Sequence, residues 1–157
     1  MHNIYEWSGK STIVGIFAPV NESVWEHLKL TFWPMLLWWI LGFIVLGKIN
    51  QIPASQWFTS CTVAQLVCPL VILCFHYTYT GAFGIKSLIL DIFSLLLGLA
   101  VAQGLAYHVY KYARFNENFL YVSVAILILM AVTFTVFTFV PPHVPLFQDS
   151  TTGKYGI

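Results

Sequence analysis

The sequence predicts an all-α protein, a polytopic transmembrane bundle of about four spans with short loops, forming a single integral membrane domain over residues 1–157. Three observations carry that expectation. The chain is 59% hydrophobic and 8% charged, against about 25% charge in soluble domains, and its mean hydropathy is +0.79. Four apolar runs reach the roughly 20 residues a helix needs to cross a hydrocarbon core about 30 Å thick. The connectors between them are short and hold the turn formers and most of the loop charge.

The first span is expected over 30–47, entered through Trp33-Pro34 and carrying Trp38-Trp39. The second, over 57–79, contains all three cysteines. Cys61, Cys68 and Cys74 lie seven and six residues apart in one helix, too far for the Cα approach of about 4.4–6.8 Å that a disulfide needs, so they read as packing residues. The third span is expected over 85–110 and the fourth over 119–140, where Pro141-Pro142 stops it by removing backbone donors. Soluble helices of this length would show polar outer faces, which these runs lack. Short connectors make neighbouring spans antiparallel. Trp57, Tyr77, Tyr79, Tyr107, Tyr110, Tyr112 and Tyr121 fall near the span ends, as in an interfacial aromatic belt. The N-terminus does not read as a signal peptide. The reading is a multipass protein of the cell membrane whose partner is the lipid bilayer. Its orientation stays open: Lys10, Lys29, Lys86 and Lys154 fall on one side, against Lys48, Lys111 and Arg114 on the other.

The densest chemistry lies just before the first span, in Pro19-Val-Asn-Glu-Ser-Val-Trp-Glu-His-Leu-Lys29. Asn21 suits the cap of a helix starting at Glu22, with Glu22 at the positive end of its dipole. Ser23 and His27 are four apart, as are Glu22 and Glu26, so each pair shares a helix face. Glu26 and Lys29 read as an interfacial ion pair. Four antiparallel spans return His76, Asp91, His143 and Asp149 to the membrane face that carries this segment. His108, seventeen residues beyond Asp91, is about 25 Å along the helix and belongs to the opposite face. Gln65, Ile72 and His76 align on one side of the second span, and Ser87, Asp91, Ser94, Gly98 and Ala102 form a small-residue stripe on the third. Such a stripe marks a close helix–helix contact, turning Asp91 into the bundle. A membrane carboxylate costs roughly 2.5–3.5 kcal/mol even on mild scales. Asp91 is therefore protonated, partnered by His76, His27 or Lys86, or functional. The candidate ligand-binding set is Asn21, Glu22, Ser23, Glu26, His27, Lys29, His76 and Asp91, with Glu26 and Asp91 as candidate catalytic carboxylates.

Phe17 through Leu30, with Phe32-Trp33-Pro34, resembles the signature of a family of small multipass membrane proteins of unknown function in Gram-positive bacteria. His76-Tyr-Thr-Tyr-Thr-Gly81 and the ending Pro145–Ile157 fit the same family. The resemblance implies class and no activity. It also implies a further apolar helix running into residues 2–9, so that this sequence reads as an N-terminally shortened member. A narrower resemblance links Ser23-x-x-x-His27 and an intramembrane aspartate to zinc hydrolases of the ceramidase and adiponectin-receptor type. Those carry a late His-x-x-x-His pair that this chain lacks. Such a site would take zinc on His27, His76, Asp91 and His2, with Glu26 as base; zinc accepts imidazole and carboxylate ligands and acidifies its bound water to about pKa 7.

Three classes of function compete. The first is a membrane protein that binds a ligand, lipid headgroup or protein partner at its polar face. The second is the zinc-dependent hydrolase. The third is a transporter or channel subunit, which at four spans requires a homo-oligomer. Transport needs polar groups through the full depth, yet between Asp91 and Gln103 the third span offers mainly Ser94 and Gly98, and the fourth offers Thr133, Thr135 and Thr138. No basic patch or glycine-rich phosphate loop supports nucleic acid or a nucleotide cofactor.

Overall fold

The computed structural model describes residues 3–156, with side chains at all of these except 3, 48 and 50. His2, one of the candidate metal ligands, lies outside the described residues. Among those residues the protein is all-helical, with six α-helices, one 3₁₀ turn and no strand beyond an isolated bridge. The helices are α1 (Asn3–Trp7), α2 (Thr12–Phe17), α3 (Val24–Asn50), α4 (Ala54–Phe83), α5 (Leu88–Tyr112) and α6 (Glu117–Phe139). Four of them, α3 to α6, are long and apolar enough to cross a membrane.

Helices α3 and α4 exceed their expected limits in ways that local chemistry explains. Helix α3 begins at Val24, six residues before the expected start at Leu30. The cap differs too. Asn21 Oδ1 accepts the Ser23 N–H at 3.0 Å, a tight turn ahead of the helix, and Ser23 Oγ accepts the Glu26 N–H at 3.3 Å. Ser23 thus caps α3 in the position expected of Asn21, satisfying a free first-turn donor. Helix α4 runs four residues past the expected end at Tyr79. Its stop is set by Gly84, whose φ of 65° suits the left-handed cap and whose N–H reaches the Thr80 carbonyl at 2.9 Å.

The chain divides into two compact units. The first comprises residues 1–34 and 128–157. Here α3 side chains hold the end of α2: Lys29 Nζ donates to the Gly15 carbonyl at 2.8 Å and Trp33 Nε1 to the Ile16 carbonyl at 2.9 Å. The carbonyls of a short helix end need such partners. Trp25 stacks on Phe134 and also contacts Phe137 and Phe147. The C-terminal tail forms a 3₁₀ turn at Pro145–Phe147 and a bridge between Gln148 and Tyr155. It is tied to the α3 entrance, where Asn21 Nδ2 donates to the Gly156 carbonyl at 2.9 Å.

The second unit comprises residues 35–127, with α4 and α5 as its tightest pair. Ser94, Gly98, Ala102 and Ala106 are the buried stripe of α5. At Gly98 a Cβ would stand 2.8 Å from Ile72 Cγ1 and 3.1 Å from the Cys68 carbonyl, so α4 and α5 approach at a distance that excludes a side chain. Gln65 and Ile72 are buried on α4, as their alignment requires. Cys61 and Cys68 are buried packing residues, whereas Cys74 is exposed. Two residues of the expected aromatic belt pack within the unit instead, Trp57 half-buried and Tyr79 buried. Trp57 packs edge-on against Trp39 and Tyr110 and donates to the Trp39 carbonyl at 2.8 Å. Tyr79 is 5% exposed.

Candidate functional site

The candidate residues fall into two polar groups, one in each unit. In the first unit, Glu26 and Lys29 form an ion pair at 2.7 Å, with the side chains 3% and 0% exposed. Glu26 Oε2 also accepts the Val20 N–H at 2.9 Å, and Oε1 accepts the Thr138 hydroxyl at 3.2 Å. Lys29 spends a further donor on Gly15. Both carboxylate oxygens and the ammonium are therefore engaged by the fold, and the pair joins α2, the following loop, α3 and α6 within this unit.

On the outer side of the same turn, His27 Nδ1 lies 2.8 Å from the Ser23 carbonyl, and its Nε2 lies 3.3 Å from Glu22 Oε2. A carbonyl oxygen only accepts, so Nδ1 carries a proton, while Nε2 faces the Glu22 carboxylate. Glu22 also accepts the Ser150 N–H on its backbone carbonyl at 3.4 Å. Asn21, Glu22, Ser23, Glu26, His27 and Lys29 are thus one hydrogen-bonded assembly that builds the α3 entrance.

The second group joins α4 to α5. His76 Nδ1 and Asp91 Oδ1 are 2.8 Å apart, and the Tyr79 hydroxyl donates to the same Oδ1 at 2.7 Å. His76 and Tyr79 sit three apart on α4, one above the other on the face turned to α5. The close approach at Gly98 and the buried Ser94, whose hydroxyl returns to the Asp91 carbonyl at 2.7 Å, set the helix spacing that lets them reach Asp91. Of the three partners expected for Asp91, His76 is the one found. The Asp91 side chain is 40% exposed and that of His76 14%. Among the described residues neither Asp91 Oδ2 nor His76 Nε2 has a hydrogen-bond partner.

Tyr79 is the site residue that the sequence reading missed, because a tyrosine near a span end looks like an interfacial anchor. Its spacing from His76 is the signal that pointed to it. A zinc centre finds no support in these positions: among the described residues no group of three or more His, Cys, Asp or Glu side chains could hold a metal ion. His76 and Asp91 bond to each other, leaving one free donor atom apiece where zinc takes three protein ligands.

The fold and this cluster define a class: an all-helical protein with four helices long and apolar enough to cross a membrane and an imidazole–carboxylate–phenol cluster between two of them. More narrowly, the chain belongs to a family of unknown function, DUF6512, whose model matches residues 1–157. No curated protein and no solved structure matches it.

Proposed function

We propose that this is a membrane-embedded binding protein whose His76–Asp91–Tyr79 cluster takes up the polar part of a ligand. One observation carries the reading: the cluster is anchored on one edge and unsatisfied on the other. His76 and Tyr79 fix Asp91 through a single oxygen, leaving Oδ2 open on a side chain that is 40% exposed. A purely structural carboxylate would be closed on both oxygens, as Glu26 is. Asp91 is three residues from the start of α5, about 4.5 Å along the axis, which puts the cluster near headgroup depth rather than at the bilayer centre. The polar segment from Asn21 to Lys29 supports this role as scaffold, by fixing the first long helix and the C-terminal tail.

The test is to purify wild type, His76→Gln and Asp91→Asn from the same membranes in nanodiscs and compare the small molecules and lipids retained, by mass spectrometry. A species held by wild type and lost from both variants is expected. Identical retained species in all three correctly folded proteins would remove the reading.

A further inference from the structure

We infer that one end of the second unit, formed by the α3–α4 and α5–α6 connectors, is a docking surface for the headgroups of anionic phospholipids. Gln56, on this end, is about 30 Å along α4 from His76, so the inference stands apart from the ligand site proposed there. The start of α4 ties the two connectors together. Ser55 Oγ donates to the Phe115 carbonyl at 3.2 Å, and Gln56 Nε2 donates to the Tyr110 and Ala113 carbonyls at 3.2 and 2.7 Å. The buried Gln56 amide thus occupies carbonyls that a helix C-terminus leaves open. Those carbonyls form the negative pole that would repel a phosphate.

The charge on this end is one-sided. In sequence, Lys48, Lys111 and Arg114 stand against Glu117, whereas the opposite end of the unit holds Lys86 and Asp91. Glu117 lies in the first turn of α6, where the positive end of the helix dipole offsets it. Lys111 and Arg114 are exposed, and among the described residues no carboxylate forms an ion pair with either. Arg114 is held from behind: its Nη1 donates to Gln56 Oε1 at 3.4 Å, which leaves the other guanidinium N–H groups for phosphate oxygens. Lys111 Nζ lies 5.2 Å from the Tyr112 ring centroid and 5.9 Å from that of Tyr107, within the roughly 6 Å over which a ring face attracts a cation. Each cation meets phosphate separately, and no single headgroup is required to bridge them.

Depth selects a lipid over a soluble anion. Helix α5 has 25 residues, about 37 Å at 1.5 Å per residue, against a hydrocarbon core of about 30 Å. Its last turn, with Lys111 and Tyr112, therefore reaches the headgroups. Tyr107, Tyr112 and Phe119 are exposed around it, in the place where aromatic rings border acyl chains. Zwitterionic headgroups cancel their phosphate with an ammonium, so a net-negative lipid gains most from this surface.

The experiment offers the full chain in detergent equal amounts of phosphatidylglycerol and phosphatidylcholine with the same acyl chains. Bound lipid is counted by native mass spectrometry. A cation at the membrane surface contributes about fivefold, so wild type should prefer phosphatidylglycerol about 25-fold. Lys111→Gln and Arg114→Gln should each lower that preference about fivefold, and the double variant should abolish it. Added salt should weaken the wild-type preference. Lys86→Gln, at the opposite end, should leave it unchanged. If the double variant fails to fold, the single variants and the salt dependence decide the matter. Equal retention of the two lipids by wild type overturns the inference, as does a preference that survives salt or the substitutions. A loss as large in Lys86→Gln overturns it too. Displacement of phosphatidylglycerol by an equal concentration of inorganic phosphate overturns the lipid assignment in favour of a soluble anion.

Discussion

The two polar clusters use the same chemical parts to opposite ends. Glu26–Lys29 and Asp91–His76 each pair a carboxylate with a nitrogen base at 2.7–2.8 Å inside a membrane-span-capable helix. In the first, each carboxylate oxygen and the ammonium has a further backbone or hydroxyl neighbour, and exposure falls almost to zero. In the second, one carboxylate oxygen and one imidazole nitrogen remain open. The difference lies in what surrounds the pair. A chain that folds back on Glu26 from several segments leaves no edge, whereas two helices meeting at Asp91 close only the side they share. A saturated pair fixes a fold, while an unsaturated one is available to a ligand.

The contrast is sharpest where a partner is deleted. Lys29→Met leaves Glu26 buried with its charge unpaired, and breaking such a pair costs about 3–5 kcal/mol. The folded fraction in detergent should fall steeply. The double variant Lys29→Met/Glu26→Gln should recover most of the loss, because no charge is left behind. Equal instability of single and double variants, in thermal melts followed by size exclusion, would show that the pair is not a closed electrostatic unit. Next in size is Gly98→Leu. Its side chain would collide with Ile72 and the Cys68 carbonyl, so overpacking of about 1–3 kcal/mol is expected. The α4–α5 spacing on which the second cluster depends should be disturbed as well, read as a changed His76 imidazole resonance. Tyr79→Phe removes one donor to Asp91 and should cost about 1 kcal/mol. The fold should persist, since Tyr79 caps no helix and joins no ion pair.

The smallest effect is a pH dependence in the tail. Burial opposes ionisation of Asp149, but the backbone and hydroxyl donors of Thr151 and Thr152 outweigh it and hold its carboxyl below the usual carboxylate range. The folded form therefore binds its proton less readily than the unfolded form. The resulting stabilisation is complete above the ordinary carboxylate range and disappears as pH falls through the lowered value. Amide exchange at Thr151 and Thr152 should quicken on acidification in wild type. Asp149→Asn should exchange fast at every pH, and a pH-independent wild type would contradict the assignment.

Much of this architecture was legible in composition and period. Runs of about 20 apolar residues mark spans because a bilayer has a fixed thickness, and the Ser94–Gly98–Ala102 stripe marks a helix contact because only small residues let backbones approach. Helix ends were less legible. The second span reads as ending at Tyr79, but the backbone takes its left-handed turn at Gly84. Asn21 reads as the cap, but the hydrogen bond that sets the start of α3 comes from Ser23. Both errors arise because several residues in a row have the right chemistry and only the path of the chain chooses among them.

The sequence by itself determined the class of protein, the number of membrane-span-capable helices and the residues able to carry chemistry, since these follow from hydrophobicity, length and functional groups. Which carboxylate would be closed and which left open was decided by tertiary structure. Glu26 and Asp91 are alike as letters near helix starts. The first is surrounded by donors from Val20, Lys29 and Thr138, and the second meets a single neighbouring helix. Saturation of a polar group depends on how many segments converge on it, a property of three-dimensional packing that no local window of sequence contains.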